Sequence, residues 1–92
     1  MIVRRTWGTY EVLAAGANWK LKRLLVDPHS KSSLQRHFRR SEFWFYPESG
    51  TFRLILKEDW HQLVNTLDGV LEIIELQFGE HCIEEDIERK EE

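Results

Sequence analysis

Cysteine is almost missing from this sequence. Cys82 stands alone, so no disulfide can close within the chain and no Cys-x-x-Cys metal motif exists. A reducing compartment is the default for such a chain, and a cytoplasmic location is expected. Long apolar runs are missing too: nothing approaches the ~18 residues of a membrane span, and residues 1–16 lack the continuous apolar stretch of a signal peptide. No membrane partner is therefore expected. No internal repeat or low-complexity linker interrupts the chain, so residues 1–92 are expected to form one domain, with residues 83–92 as an acidic tail. An excess of positive charge is also absent, the formal net charge being −3. Arg36, Arg39 and Arg40 interleave with Phe38, Phe43 and Trp44 in a way that suits stacking on bases, but the overall charge argues against a nucleic-acid partner.

What is present reads as a small globular chain. Of its 92 residues, 41% are hydrophobic and 32% charged, and four Trp, two Tyr and five Phe supply bulky core material. A domain of this size buries only a little over ~60% of its unfolded surface, so association with a second copy would help it. Charge is uneven: residues 1–46 hold nine Lys/Arg against three Asp/Glu, while residues 47–92 hold four against thirteen. In one small domain the halves interleave, which is compatible with cross-strand pairing or with a basic pocket mouth over an acidic skirt.

Strand patterns recur between turn signals. Residues 9–13 form a short strand candidate, closed by Ala14-Ala15-Gly16-Ala17-Asn18. Residues 19–26 alternate, with Trp19, Leu21 and Leu25 on one face and Lys20, Lys22 and Leu24 on the other, until Asp27-Pro28-His29-Ser30 breaks the run. Residues 32–37 and 43–46 are expected to pair next. Pro47-Glu48-Ser49-Gly50 is a turn with Pro at its head and Gly at its end. Residues 51–56 and 71–78 complete the set, the latter setting Ile74, Leu76 and Phe78 against Glu75 and Gln77. Residues 57–69 read differently, because Trp60, Leu63, Val64 and Leu67 fall at i, i+3, i+4 and i+7 with Gly69 at a C-cap position. Periodicity alone makes that stretch a helix. Residues 83–92 read as a frayed helix or an extended tail.

The stretch with most chemistry is Ser33-Leu34-Gln35-Arg36-His37-Phe38-Arg39-Arg40-Ser41-Glu42-Phe43-Trp44. In an extended strand Gln35 and His37 point the same way, and a following strand would bring Glu42 alongside them. Amide oxygen, imidazole nitrogen and carboxylate oxygen make a mixed set suited to a divalent metal. His61 is the best remaining candidate for a fourth ligand, since His29 and His81 sit in turn-like or polar surroundings. On residue types alone, ordinary half-buried histidines bonded to backbone are the commoner case.

Spacing adds to this. The cupin first motif ends in His-x-His, three or four residues, Glu, and the second in His, three residues, Asn. Gln35-x-His37 with Glu42, then His61 with Asn65, fit that pattern with Gln in place of the first His. Trp7-Gly8-x-Tyr10, Lys20-x-Lys22-x-x-x-Val26-x-Pro28, Arg40-x-Glu42-x-Trp44 and Leu71-Glu72-Ile73-Ile74-Glu75-x-Gln77-x-Gly79-Glu80 narrow it further. The chain resembles the cupins, and among them the cupin domain of type II mannose-6-phosphate isomerases. It departs from them at Arg39, where a second strand histidine is usual, and at His29, where glycine is usual. Gly50 serves both as the end of the first motif and as the start of the second, so the segment between the motifs is expected to be missing.

The resemblance implies an all-β fold, a small cupin-like (jelly-roll) barrel or sandwich of about seven strands, incomplete or opened by that deletion. It implies that residues 60–65 are a strand rather than a helix. It implies a divalent ion, zinc by the family's habit, on Gln35, His37, Glu42 and His61, and a sugar-phosphate substrate bound by Arg40, with Lys22 and Arg39 as further candidates. The activity implied is interconversion of mannose 6-phosphate and fructose 6-phosphate, and the alternative is a non-catalytic cupin that binds a sugar, a metal or a protein partner. A barrel short of wall has open strand edges, so a homodimer is expected, joined by sheet edges or by exchange of residues 9–13.

Overall fold

The computed structural model describes residues 1–90. Its regular elements are all strands: β1 (Ile2–Arg5), β2 (Gly8–Ala15), β3 (Trp19–Val26), β4 (Ser30–Lys31), β5 (Leu34–Arg36), β6 (Arg40–Tyr46), β7 (Thr51–Ile55), β8 (Val64–Asn65), β9 (Leu71–Gly79) and β10 (Glu88–Lys90). Six of them form one antiparallel sheet in the order β1-β2-β3-β9-β6-β7, and two short ribbons, β10-β5 and β4-β8, accompany it. About seven strands were expected; the excess over them is β1, β4 and β10, four, two and three residues long and too short to leave an alternation in the sequence. The large sheet does not close on itself, as a shortened barrel requires.

The centre of the sheet is β9, which arrives late in the chain and inserts between β3 and β6. The hairpin β6–β7 turns at Pro47–Gly50, where the Gly50 amide donates to Tyr46 O at 2.8 Å and Gly50 takes φ +71°, a left-handed conformation that glycine adopts at little cost. The expected pairing of residues 32–37 with 43–46 does not occur. β5 pairs with β10 across the fold, while β6 lies in the large sheet. The crossing between them is held by Asp86, whose carboxylate accepts the Phe38 and Arg39 amides at 3.0 and 2.9 Å.

Residues 57–69 are not a helix. His61, Leu63 and Asn65 are buried while Val64 and Leu67 are exposed, so the spacing in use is two rather than 3.6. The backbone amides and carbonyls of Gln35 and His61 bond reciprocally at 2.8 Å, and the Ser32 amide donates to Leu63 O at 2.9 Å. These bonds lay the segment against β5 and its approach, over the inner face of the sheet. A small apolar core fills the space between: Leu24, Val26, Trp44, Ile55 and Ile73 from the sheet, Leu63 from the covering segment. The tail is extended rather than helical as far as it is described, with β10 pairing Glu88, Arg89 and Lys90 against Arg36, Gln35 and Leu34; residues 91–92 lie outside the described residues.

Candidate metal centre

Beside that core lies a cavity of about 370 Å³, within the range of small-molecule sites. Three sequence-expected ligands meet in it. His37 follows β5, His61 comes from the covering segment and Glu42 sits on β6; all three are buried, and their ligand atoms lie within 4.8 Å of one another. Gln35, which is paired with His61, lines the same cavity and donates from Nε2 to Ser33 Oγ at 3.2 Å.

The hydrogen bonds assign the tautomers. Nδ1 of His37 lies 2.6 Å from Asp86 O, and Nδ1 of His61 lies 2.9 Å from Asp59 O. A carbonyl oxygen only accepts, so each neutral ring carries its proton on Nδ1 and presents a lone pair at Nε2. Those lone pairs face Glu42, at 3.2 Å for His37 and 3.5 Å for His61. Neither ring is easily protonated. Burial, then the Arg40 charge, lowers the His37 pKa from 6.5 to about 4, and burial lowers that of His61. Two lone pairs and a carboxylate turned toward each other in a dry site repel unless a cation stands among them. Buried Arg40 meets part of this need: its guanidinium donates to Glu42 Oε2 at 3.0 Å and lies 3.2 Å from His37 Nε2, with Nη1 anchored on Ile83 O. His61 has no such donor between its Nε2 and Glu42 Oε1 among the described residues. The donor set therefore fits a divalent ion held by two imidazoles and a carboxylate.

A further ring of buried polar groups was not singled out in the sequence. Trp44 Nε1–H donates to Glu42 Oε1 and to Glu75 Oε2, both at 3.0 Å, and Gln77 Nε2 donates to Glu75 Oε1 at 2.7 Å. Burial and the neighbouring Glu42 charge push the Glu75 pKa from 4.5 to about 8, so Glu75 keeps its proton at neutrality. Gln77, directly opposite Glu42 in the β6–β9 register, has a buried Oε1 with no partner among the described residues, a spare acceptor beside the ligand carboxylate. The signal for both residues was the alternation along β9, but its sense is inverted. Glu75 and Gln77 face in, whereas Ile74 and Leu76 are half-buried and Phe78 is exposed on the other side.

Of the three expected phosphate contacts, Lys22 lines the cavity, Arg40 is engaged at the ligand triad, and Arg39 is exposed and lines a separate depression with His81, Ile83, Glu85 and Asp86.

Comparison with known proteins places this arrangement. The chain superposes on a cupin-2 domain from Rhodospirillum rubrum with a TM-score of 0.78 at 17% identity, over 100% of this chain and 74% of that one. It superposes on a sugar phosphate isomerase of the cupin superfamily from Silicibacter pomeroyi with a TM-score of 0.69 at 15% identity, over 78% and 59%. The fold is a cupin fold. By sequence, the alginate biosynthesis protein AlgA of Pseudomonas aeruginosa is 35% identical over 105 aligned positions, covering 97% of this chain and 22% of that protein. The mannose-1-phosphate guanylyltransferase of Salmonella muenchen is 33% identical with the same coverage. The chain thus spans about a fifth of the length of these curated relatives. Since 97% of 92 residues is about 89, at least some 16 of the 105 aligned positions have no counterpart here, so this chain is the shorter over the matched region. The family model described as mannose-6-phosphate isomerase C-terminal matches residues 1–60, ending one residue before His61. The match covers well over half of the chain, which belongs to the mannose-6-phosphate isomerase C-terminal family.

Proposed function

We propose that this chain is a metal-binding cupin that interconverts mannose 6-phosphate and fructose 6-phosphate. The observation that carries the reading is the convergence of His37, Glu42 and His61, with unprotonated Nε2 atoms, on one side of a cavity of about 370 Å³. Family membership and the relatives' names support the substrate class. His37, Glu42 and His61, with the Gln35 amide oxygen, would hold the ion, zinc being one that such nitrogen and oxygen ligands suit. Bound there, the ion supplies Lewis acidity to a sugar carbonyl and its neighbouring hydroxyl.

The chain's own residues do the rest. Asp86 O and Asp59 O fix the two imidazoles in the ligating tautomer. Trp44 Nε1–H and Arg40 hold Glu42 by one oxygen each, which sets the carboxylate's orientation. The Arg40 guanidinium is a fixed positive charge where negative charge develops on substrate oxygens as a C–H proton leaves. Glu75, protonated at neutrality, adds no competing negative charge. The test is a coupled assay of fructose 6-phosphate formation from mannose 6-phosphate, with and without chelator. Turnover that chelator abolishes and zinc restores supports the reading. A protein that binds one equivalent of metal and shows no turnover is the non-catalytic binding cupin instead.

A further inference from the structure

The far side of the cavity from the ligand triad carries a second constellation. Lys22, on β3, is 3% exposed, and its ammonium lies over the Tyr10 ring at 4.3 Å. Arg5 lies 5.5 Å from the same ring and reaches Tyr10 Oη at 3.5 Å. Among the described residues Arg5 makes no ion pair. Lys22 makes one, with Glu84, whose side chain is 46% exposed and sits in residues 80–87, outside any strand. A buried ammonium needs an anion, and the carboxylate bonded to it is Glu84 rather than Glu75 opposite it on the sheet, which accepts from Trp44 and Gln77 instead. The anion therefore comes from a half-exposed carboxylate that can be displaced into water.

Charge and distance suit one ligand class. Four cations line the cavity, Arg5, Lys22, Arg40 and Arg89. Three carboxyl groups line it with them, Glu42, Glu75 and Glu84. Once Glu84 is displaced, the four cations exceed the remaining carboxyl groups, Glu42 and Glu75, by two, which matches a phosphomonoester carrying about −1.5 to −2 at neutral pH. Arg40 is committed to Glu42 and His37 and Arg89 stands opposite Gln35, so the cations left at the Tyr10 end are Arg5 and Lys22. Lys22 lies two strands from Glu42, since β9 stands between β3 and β6. That is about 10 Å, the scale of an open-chain hexose with a charged group at its far end.

We propose that Lys22, Arg5 and Tyr10 form the subsite for the phosphate of a hexose phosphate, and that Glu84 occupies its place on Lys22 until the ligand displaces it. The proposal rests on the isomerase reading for the sugar but not for the anion, and its test separates the two. Mannose 6-phosphate, inorganic phosphate and mannose are titrated calorimetrically into the 92-residue chain and into Lys22→Met, Arg5→Met and Glu84→Gln variants, with metal content measured alongside. Lys22→Met and Arg5→Met are expected to weaken mannose 6-phosphate binding at least about tenfold, with metal content unchanged. Glu84→Gln is expected to tighten it several-fold, by removing the competing carboxylate. Mannose 6-phosphate should bind more tightly than phosphate, and mannose only weakly. Unchanged affinity in Lys22→Met, or weaker binding in Glu84→Gln, overturns the subsite. Equal affinities for phosphate and mannose 6-phosphate overturn the sugar part of it. Should Lys22→Met fail to fold, the half-exposed Glu84→Gln decides alone, tightening being support and no change refutation. Lys22-dependent binding without turnover leaves the subsite standing and removes the isomerase; turnover that survives Lys22→Met does the reverse.

Discussion

The two faces of the six-stranded sheet are built against the usual rule. On the inner face Lys22, Glu42, Trp44, Glu75 and Gln77 are all less than 9% exposed, while on the outer face Trp19, Phe45, Phe52, Leu54 and Phe78 are between 37% and 66% exposed. Charged and amide groups are inside beside Trp44, and four aromatic rings are exposed outside. The inner groups are tolerable because nearly every one has a partner: the Trp44 N–H is shared by two carboxyls, Arg40 braces Glu42, and Glu84 answers Lys22. The difference teaches that the inner face is arranged for a ligand, and that the apolar core of Leu24, Val26, Ile55, Leu63 and Ile73 is confined to the space beside the cavity.

The sharpest way to break the comparison is to unsettle the inner network. Trp44→Phe keeps an aromatic ring but removes the single N–H that serves Glu42 and Glu75, and its smaller ring leaves a gap in the core. We expect a loss of about 2–4 kcal/mol in chemical denaturation, as for a buried charged group left without its donor. Phe52→Ser on the outer face removes a larger exposed ring and should cost no more than about 0.5 kcal/mol.

A change of pH acts on the same network from both sides. In metal-free protein His37 titrates near 4 rather than 6.5. Its contribution is therefore complete above pH 6.5 and lost as pH falls toward 4, and lowered His61 acts in the same sense. Glu75 titrates near 8 rather than 4.5, so its contribution is complete below pH 4.5 and lost as pH rises through 8. Two histidines outweigh one carboxyl below pH 6.5, and above it Glu75 acts alone. Stability should therefore peak near pH 6.5 and fall by about 1 kcal/mol by pH 8. Urea midpoints at constant ionic strength across that range check this; a flat profile would mean that Glu75 is ionised throughout.

The outer face yields a smaller effect. Its five most prominent apolar side chains expose on the order of 400 Å², about half of what each partner contributes to a standard interface. The homodimer expected from the sequence should accordingly be weak if formed on this face. Sedimentation equilibrium should show concentration-dependent association that Phe52→Ser with Leu54→Ser abolishes. The smallest effect concerns His29, where the family usually has glycine. It stands at φ +51°, a conformation strained for a residue with a Cβ, and His29→Gly should raise stability by up to about 1 kcal/mol despite loss of the exposed contact to Asp68.

Much of this was legible in the sequence. The alternation in residues 19–26 and 71–78 marked the two central strands, the Pro47–Gly50 turn marked the hairpin, and ligand spacing brought His37, Glu42 and His61 together. Alternation identifies faces without saying which is inside. Because the inner face carries Lys22, Glu75 and Gln77, the ordinary assumption that apolar residues face inward reverses the sense of β9 and hides its buried carboxyl. The apparent helix at residues 57–69 arose because a buried leucine, two exposed apolar residues and a tryptophan stacked by Arg36 and Lys90 happen to fall at helical spacing. The tail's role was illegible for another reason: Asp86, Glu84 and β10 act through contacts with residues 47 to 62 positions earlier.

The measurement that bears most directly on the inner face as a metal site is zinc titration of the chelator-treated chain, followed by calorimetry, beside His61→Ala and Glu42→Gln. The account predicts one equivalent bound by the native sequence and binding weakened to near background in both variants, since loss of a ligand leaves an incomplete set. A full equivalent retained in either variant, or no binding by the native chain at neutral pH, would contradict it.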